Sequence, residues 1–158
     1  MVSSGSWTID AHTLMPRIIN HKEFQAEFKG DPYLEAIELM WSGNPEKAMI
    51  LLKPETSFRA RTLQAEALAR LGDFEVSFQA YRNLIDEFSG TSREATIRQH
   101  FGKALFLAQK INDALKQFEL AYKLRQSFGA DASLIESSVM AIKRCQEMLG
   151  MEGRTNRT

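Results

Sequence analysis

Phe58–Phe88 reads FRARTLQAEALARLGDFEVSFQAYRNLIDEF, and this stretch decides the fold. In its first half Leu63, Ala67 and Leu71 recur at four-residue steps, with Ala60 and Ala65 close by. Arg59, Arg61, Glu66 and Arg70 fall largely elsewhere. An apolar stripe at that spacing predicts an amphipathic helix. Its alanines keep helix propensity high and let a neighbour approach closely. Gly72 ends it, since glycine takes left-handed backbone at little cost, and Asp73 is placed to cap the next helix. Phe74, Phe78, Tyr81, Leu84, Ile85 and Phe88 then repeat at three- and four-residue steps. A short turn between two helices makes them antiparallel neighbours.

The same pattern recurs on both sides. Upstream, Tyr33–Ser42 and Lys47–Lys53 are two helical stretches joined by Gly43-Asn44-Pro45-Glu46, and Pro54 ends the second. Downstream, Thr91-x-x-Glu94 has capping-box spacing, so a helix is expected from Ser92. Ile97, Phe101, Ala104, Leu105 and Ala108 form its stripe, and Gln109-Lys110-Ile111-Asn112 makes a turn without glycine. Ala114, Leu115, Phe118, Ala121, Tyr122 and Leu124 mark the partner helix, to about Ser127. Leu134, Val139, Ile142, Cys145 and Leu149 line a last helix, Ala132–Leu149, expected to stop at Gly150. A short helix around Arg17–Phe28 precedes the first pair.

Runs of β-branched residues are almost absent, so the chain reads as all-α. Its 158 residues suffice for one domain with a real core. We divide it into a flexible N-terminal segment over 1–15, a single helical domain over 16–150 and a disordered tail over 151–158. Formal net charge is zero, which removes any global electrostatic argument for nucleic acid or an anionic membrane. No apolar run approaches the roughly 18 residues of a membrane span. There is no charged start followed by an apolar core, so the expected setting is cytoplasmic. The single Cys145 rules out an internal disulfide framework and reads as a small helix residue.

Aligned on their turns, the units share small residues. The first helices hold Ala36, Ala65 and Gly102, each three before a leucine; the second helices hold Ala48, Ser77 and Ala114. With Leu71-Gly72-Asp73-Phe74 as the turn, and Asn112-Asp113-Ala114-Leu115-Lys116-Gln117-Phe118 and Asn44-Pro45-Glu46-Lys47-Ala48 as second-helix starts, the chain resembles the tetratricopeptide repeat (TPR) family. The resemblance covers about Pro32–Ser127. The third unit is similar to the longer repeats of kinesin light chains and many small bacterial regulators. Ser77 and Leu84 depart from the usual small alanines, and the spacing of units is uneven. The resemblance implies a right-handed α-solenoid of about three TPR-like helix-turn-helix units with a C-terminal capping helix.

It also implies a concave peptide-binding groove built from the first helices. Carried over, the groove positions are Tyr33, Ile37, Met40 and Trp41; Arg59, Thr62, Glu66, Ala69 and Arg70; and Thr96, Gln99, Lys103 and Phe106. Met40, Trp41 and Phe106 would floor it, while Arg59, Arg70 and Lys103 would hold an acidic or C-terminal peptide. The competing reading makes these an ordinary solvated face, or buries them beneath the N-terminal helix. The family's carboxylate clamp is missing: its places hold Tyr33, Ile37, Leu63, Thr96 and His100. Arg98, Lys103, Lys110, Lys116, Lys123 and Arg125 spread round two helices, as a solvated face does, rather than forming a nucleic-acid patch. His12, His21 and His100 lack metal spacing, and no nucleophile is paired with a base. The expectation is a non-enzymatic scaffold without a cofactor, binding a peptide or helix of a protein partner. A self-associating homo-oligomer is the alternative, and an enzyme whose residues come together across helices is the third reading.

Overall fold

The computed structural model describes residues 5–155. Eight helices and one small sheet are present among the described residues. They are β1 (Trp7–Ile9), β2 (Pro16–Ile18), α1 (His21–Glu27), α2 (Leu34–Trp41), α3 (Pro45–Leu52), α4 (Phe58–Arg70), α5 (Phe74–Phe88), α6 (Arg93–Leu107), α7 (Ile111–Ser127) and α8 (Ala132–Thr155). The all-α reading therefore holds for the bulk of the chain, with a two-stranded hairpin added at its start.

α2 packs on α3, α4 on α5 and α6 on α7, and each pair packs on the next in chain order. The first helices also meet one another. Trp41 Nε1 of α2 donates to Glu66 of α4 at 3.2 Å, α4 touches α6, and Ser138 of α8 donates to Gln99 of α6 at 2.8 Å. α2, α4, α6 and α8 thus line one face of the molecule.

The three turns are built alike. Gly43, Gly72 and Gln109 have φ of 93°, 85° and 65°. The next amide in each case reaches back to a carbonyl five residues earlier, Asn44 to Leu39 at 2.8 Å, Asp73 to Leu68 at 2.9 Å and Lys110 to Leu105 at 2.9 Å. This is the Schellman stop, which satisfies the last helical carbonyls. Ala36 and Ala48, Ala65 and Ser77, and Gly102 and Ala114 stand twelve residues apart, and all six are buried. Ser77 fits a small position because its hydroxyl donates to Ala65 O across the pair at 2.7 Å. Gly102 is more demanding. A Cβ there would lie 2.5 Å from Phe118 Cε1 of the partner helix.

Several boundaries move. The expected helix at Arg17–Phe28 begins only at His21, where the Asn20 side chain accepts from Glu23 N. Pro16–Ile18 is instead a strand, with Trp7 opposite Ile18, Thr8 opposite Arg17 and Ile9 opposite Pro16. Of the segment 1–15 expected to be flexible, residues 1–4 lie outside the described residues and 7–9 form β1. α8 passes through Gly150 to Thr155, because one glycine costs only about 1 kcal/mol relative to alanine and does not stop a long helix. The helix thus enters the tail expected to be disordered; residues 156–158 lie outside the described residues. At Thr91-x-x-Glu94 the box closes differently, with Glu94 accepting from Gly90 N at 2.8 Å and helix α6 starting at Arg93.

Candidate functional site

The sequence-predicted groove residues do fall on the α2–α4–α6 side, but most are not open to solvent. Ile37, Met40, Glu66, Gln99, Lys103 and Phe106 are buried, and Trp41, Thr62 and Arg70 are partly so. The β1–β2 hairpin accounts for part of this cover. Trp7 lies against Trp41 with ring centroids 5.2 Å apart, and Phe24 and Phe28 of the α1 region complete an aromatic cluster at 5.8 and 6.5 Å from the same ring. Leu14, at the tip, is fully buried in the main core with Ala69, Phe106 and Ala141, although its φ is 63°. Arg70 Nη2 donates to Pro16 O and Arg144 Nε to His12 O, both at 3.2 Å. The hairpin therefore reaches from α2 to α8.

Arg70 is the central tie. Besides Pro16 O it donates through Nε to Glu66 at 3.2 Å and through Nη1 to Met40 O at 3.3 Å. A side chain expected to hold a peptide holds an extended segment of its own chain. Arg59 is engaged as well. Its guanidinium forms a two-point pair with Asp31 at 2.8 and 2.7 Å and lies 5.5 Å from the Tyr33 ring centroid. The hydrogen bond from Arg59 is the main reason the Asp31 carboxyl sits below its usual range. Tyr33 in turn shares a hydrogen bond of 2.6 Å with Ser57. These residues fasten the loop before α2 to the start of α4.

An open cavity of about 360 Å³ remains beside the hairpin. Ile37, Trp41, Phe58, Leu63 and Phe28 give it apolar walls, and Arg59, Thr62, Glu66, Thr96 and His100 supply polar edges. Of the expected groove set, Ile37, Trp41, Arg59, Thr62, Glu66 and Thr96 meet here, whereas Met40 and Arg70 line a second cavity of about 430 Å³ with Thr13, Met15 and Leu107. Tyr33, Gln99, Lys103 and Phe106 line neither. Phe28 and Phe58 were not among the expected groove residues, and Leu63 and His100 entered only as occupants of the family's clamp places. His100 is one turn after Thr96 on α6, and that i, i+4 relation was the available signal.

The electrostatics of this face are dominated by burial. Burial, with the charges of Lys103 and Arg125 nearby, holds the His100 imidazole down at about 3, so it is neutral at physiological pH. Burial likewise pulls the Lys103 ammonium down to about 8. Cys145 is buried on α8 with its thiol pushed up to about 11, the opposite of an activated nucleophile. Among the described residues no three His, Cys, Asp or Glu side chains gather closely enough to hold a metal ion, and no helix is long and apolar enough to cross a membrane.

No family model, no characterised protein and no solved structure matches the chain.

Proposed function

We propose that the chain is a non-enzymatic protein-interaction module of the tetratricopeptide type, a right-handed solenoid of three helical pairs with α8 as its cap. The matching small-residue pairs at twelve-residue separation and the three like turns support that arrangement. The partner segment, a peptide or a helix, places an apolar side chain in the cavity between α2, α4 and α6, with Arg59, Thr62 and Thr96 offering hydrogen bonds at its edge. One observation carries this reading. The cavity is lined by aromatic and aliphatic groups yet left open, on the face that the hairpin partly covers. Apolar hollows with a few convergent polar groups are the usual anchoring places of peptide ligands.

Selection of peptides from a displayed library against the full chain, followed by affinity measurement on the variants, tests it. Thr62→Arg fills the cavity mouth and is expected to weaken a selected peptide by about tenfold or more. Val76→Arg, on the exposed side of α5, is expected to leave it unchanged. Equal binding by both variants would remove the cavity from the function. Self-association has its own motive, since α8 exposes Leu134, Val139 and Met151. A sedimentation measurement showing a monomer at micromolar concentration would sink that second reading.

A further inference from the structure

Two cationic side chains are buried where α6, α7 and α8 meet, and neither is bonded to a carboxylate. Lys103 is 7% exposed and Arg125 6%. Arg125 Nη1 donates to neutral acceptors, Leu134 O at 2.7 Å and Ser138 Oγ at 2.9 Å. Lys103 makes no hydrogen bond or ion pair among the described residues, and its Nζ keeps contact with solvent while the rest of the side chain is buried. The carboxylate whose field it feels is Glu66, and the Oε2 of that group already accepts from Trp41 Nε1 and Arg70 Nε, each at 3.2 Å.

Gln99 stands one turn before Lys103 on the same face of α6 and is 2% exposed. Ser138 Oγ accepts from Arg125 Nη1 at 2.9 Å and donates to Gln99 Oε1 at 2.8 Å. Gln99 Nε2 is left buried without an acceptor. Buried donors are rarely left unmatched, and buried charges rarer still, because each loses its hydration without recompense. Here an orphaned amide, an unbonded ammonium and a guanidinium that lacks an anion occur together.

We propose that Gln99 Nε2, Lys103 Nζ and the Arg125 guanidinium form an oxyanion subsite at the junction of α6, α7 and α8, taking a carboxylate or a phosphate group. One such group supplies both the missing negative charge and several acceptor lone pairs, and charge-assisted bonds of this kind are the strong ones. None of the three lines the cavity of Trp41 and His100, and none stands at the family's clamp positions. The subsite stands whether or not that cavity binds a peptide.

The Gln99 side-chain amide protons report on it directly. The full chain, labelled with nitrogen-15, is titrated with sodium acetate and separately with sodium phosphate, chloride keeping the ionic strength constant. A saturable shift of the Gln99 amide pair is expected, and whichever salt saturates at lower concentration names the preferred group. Lys103→Met is expected to weaken saturation by about tenfold or more, while Lys103→Arg, which keeps the charge, retains it. If Lys103→Met does not fold, the wild-type titration and the arginine variant still decide. Shifts that never saturate, or that are equal in Lys103→Met and wild type, mean an adventitious ion only and overturn the proposal.

Discussion

The indole of Trp7 lies 5.2 Å from that of Trp41, centroid to centroid, so that the first strand of the chain rests on the first helix of the first helical pair. A two-stranded hairpin is marginal alone, and this contact, with Leu14 in the core and Arg70 on Pro16 O, holds it down. Trp7→Ala is expected to cost about 2 kcal/mol, since the ring is only partly buried. Denaturant unfolding gives the cost. Hydrogen exchange should show the Ile19 and Asn20 amides, both bonded to Ser6 O, losing protection before those of α4 and α6.

Gly102 and Phe118 test the packing between α6 and α7. A methyl group at 102 would sit 2.5, 2.7 and 2.9 Å from three ring atoms of Phe118. Overpacking of this kind costs about 1–3 kcal/mol. Gly102→Ala is therefore expected to destabilise despite alanine's better helix propensity. The penalty should shrink when Phe118→Leu is present, and a double-mutant cycle in urea measures that coupling.

Gln109 is the one residue of the three turn positions that is not glycine, yet it has φ 65°. A left-handed residue with a side chain is strained by about 1 kcal/mol. Gln109→Gly should relieve this and raise stability by up to about 0.5–1 kcal/mol, offset in part by the greater freedom of the unfolded chain. A rise in the urea midpoint with unchanged slope is the expected result.

Acidification probes His100. Its folded value of about 3 lies below the ordinary 6.5, so between those values the unfolded chain binds a proton that the folded chain does not. Stability should therefore fall as pH drops from 6.5 toward 3. Asp31 and Glu94, whose carboxyls are held low by hydrogen bonds and ion pairs, add to the loss at the acid end. The contribution of His100 is isolated by comparison. His100→Gln should lose less stability between pH 7 and pH 5 than wild type, as read from urea midpoints.

The helical pairs were legible because each carries its information locally. Apolar spacing sets the faces, Gly43 and Gly72 mark the stops, and the small residues mark close approaches. The turn at Gln109 was legible only from its neighbours, since nothing in glutamine announces a left-handed backbone. The hairpin was missed for a related reason. Its strands are three residues long, one begins with Pro16, and no Asn-Gly turn joins them. The signal present was Asp10, whose carboxylate accepts from His12 N and Thr13 N at 2.9 Å and folds the loop back. The groove set shares the side made by α2, α4 and α6, but most of it is buried where exposure was expected. Whether Met40 or Lys103 meets solvent depends on what packs across α2, α4 and α6. That is a tertiary fact with no trace in the spacing of those helices.

Where a partner segment touches the molecule is the most direct test of the proposed function. A peptide selected on the full chain can be added at saturation and amide hydrogen exchange followed along every helix. The expected result is new protection around Trp41 of α2, Thr62–Glu66 of α4 and Thr96–His100 of α6, with α3, α5 and α7 unchanged. Protection confined to α3, α5 or α7, or none on the cavity segments, would contradict the assignment of this face as the binding surface.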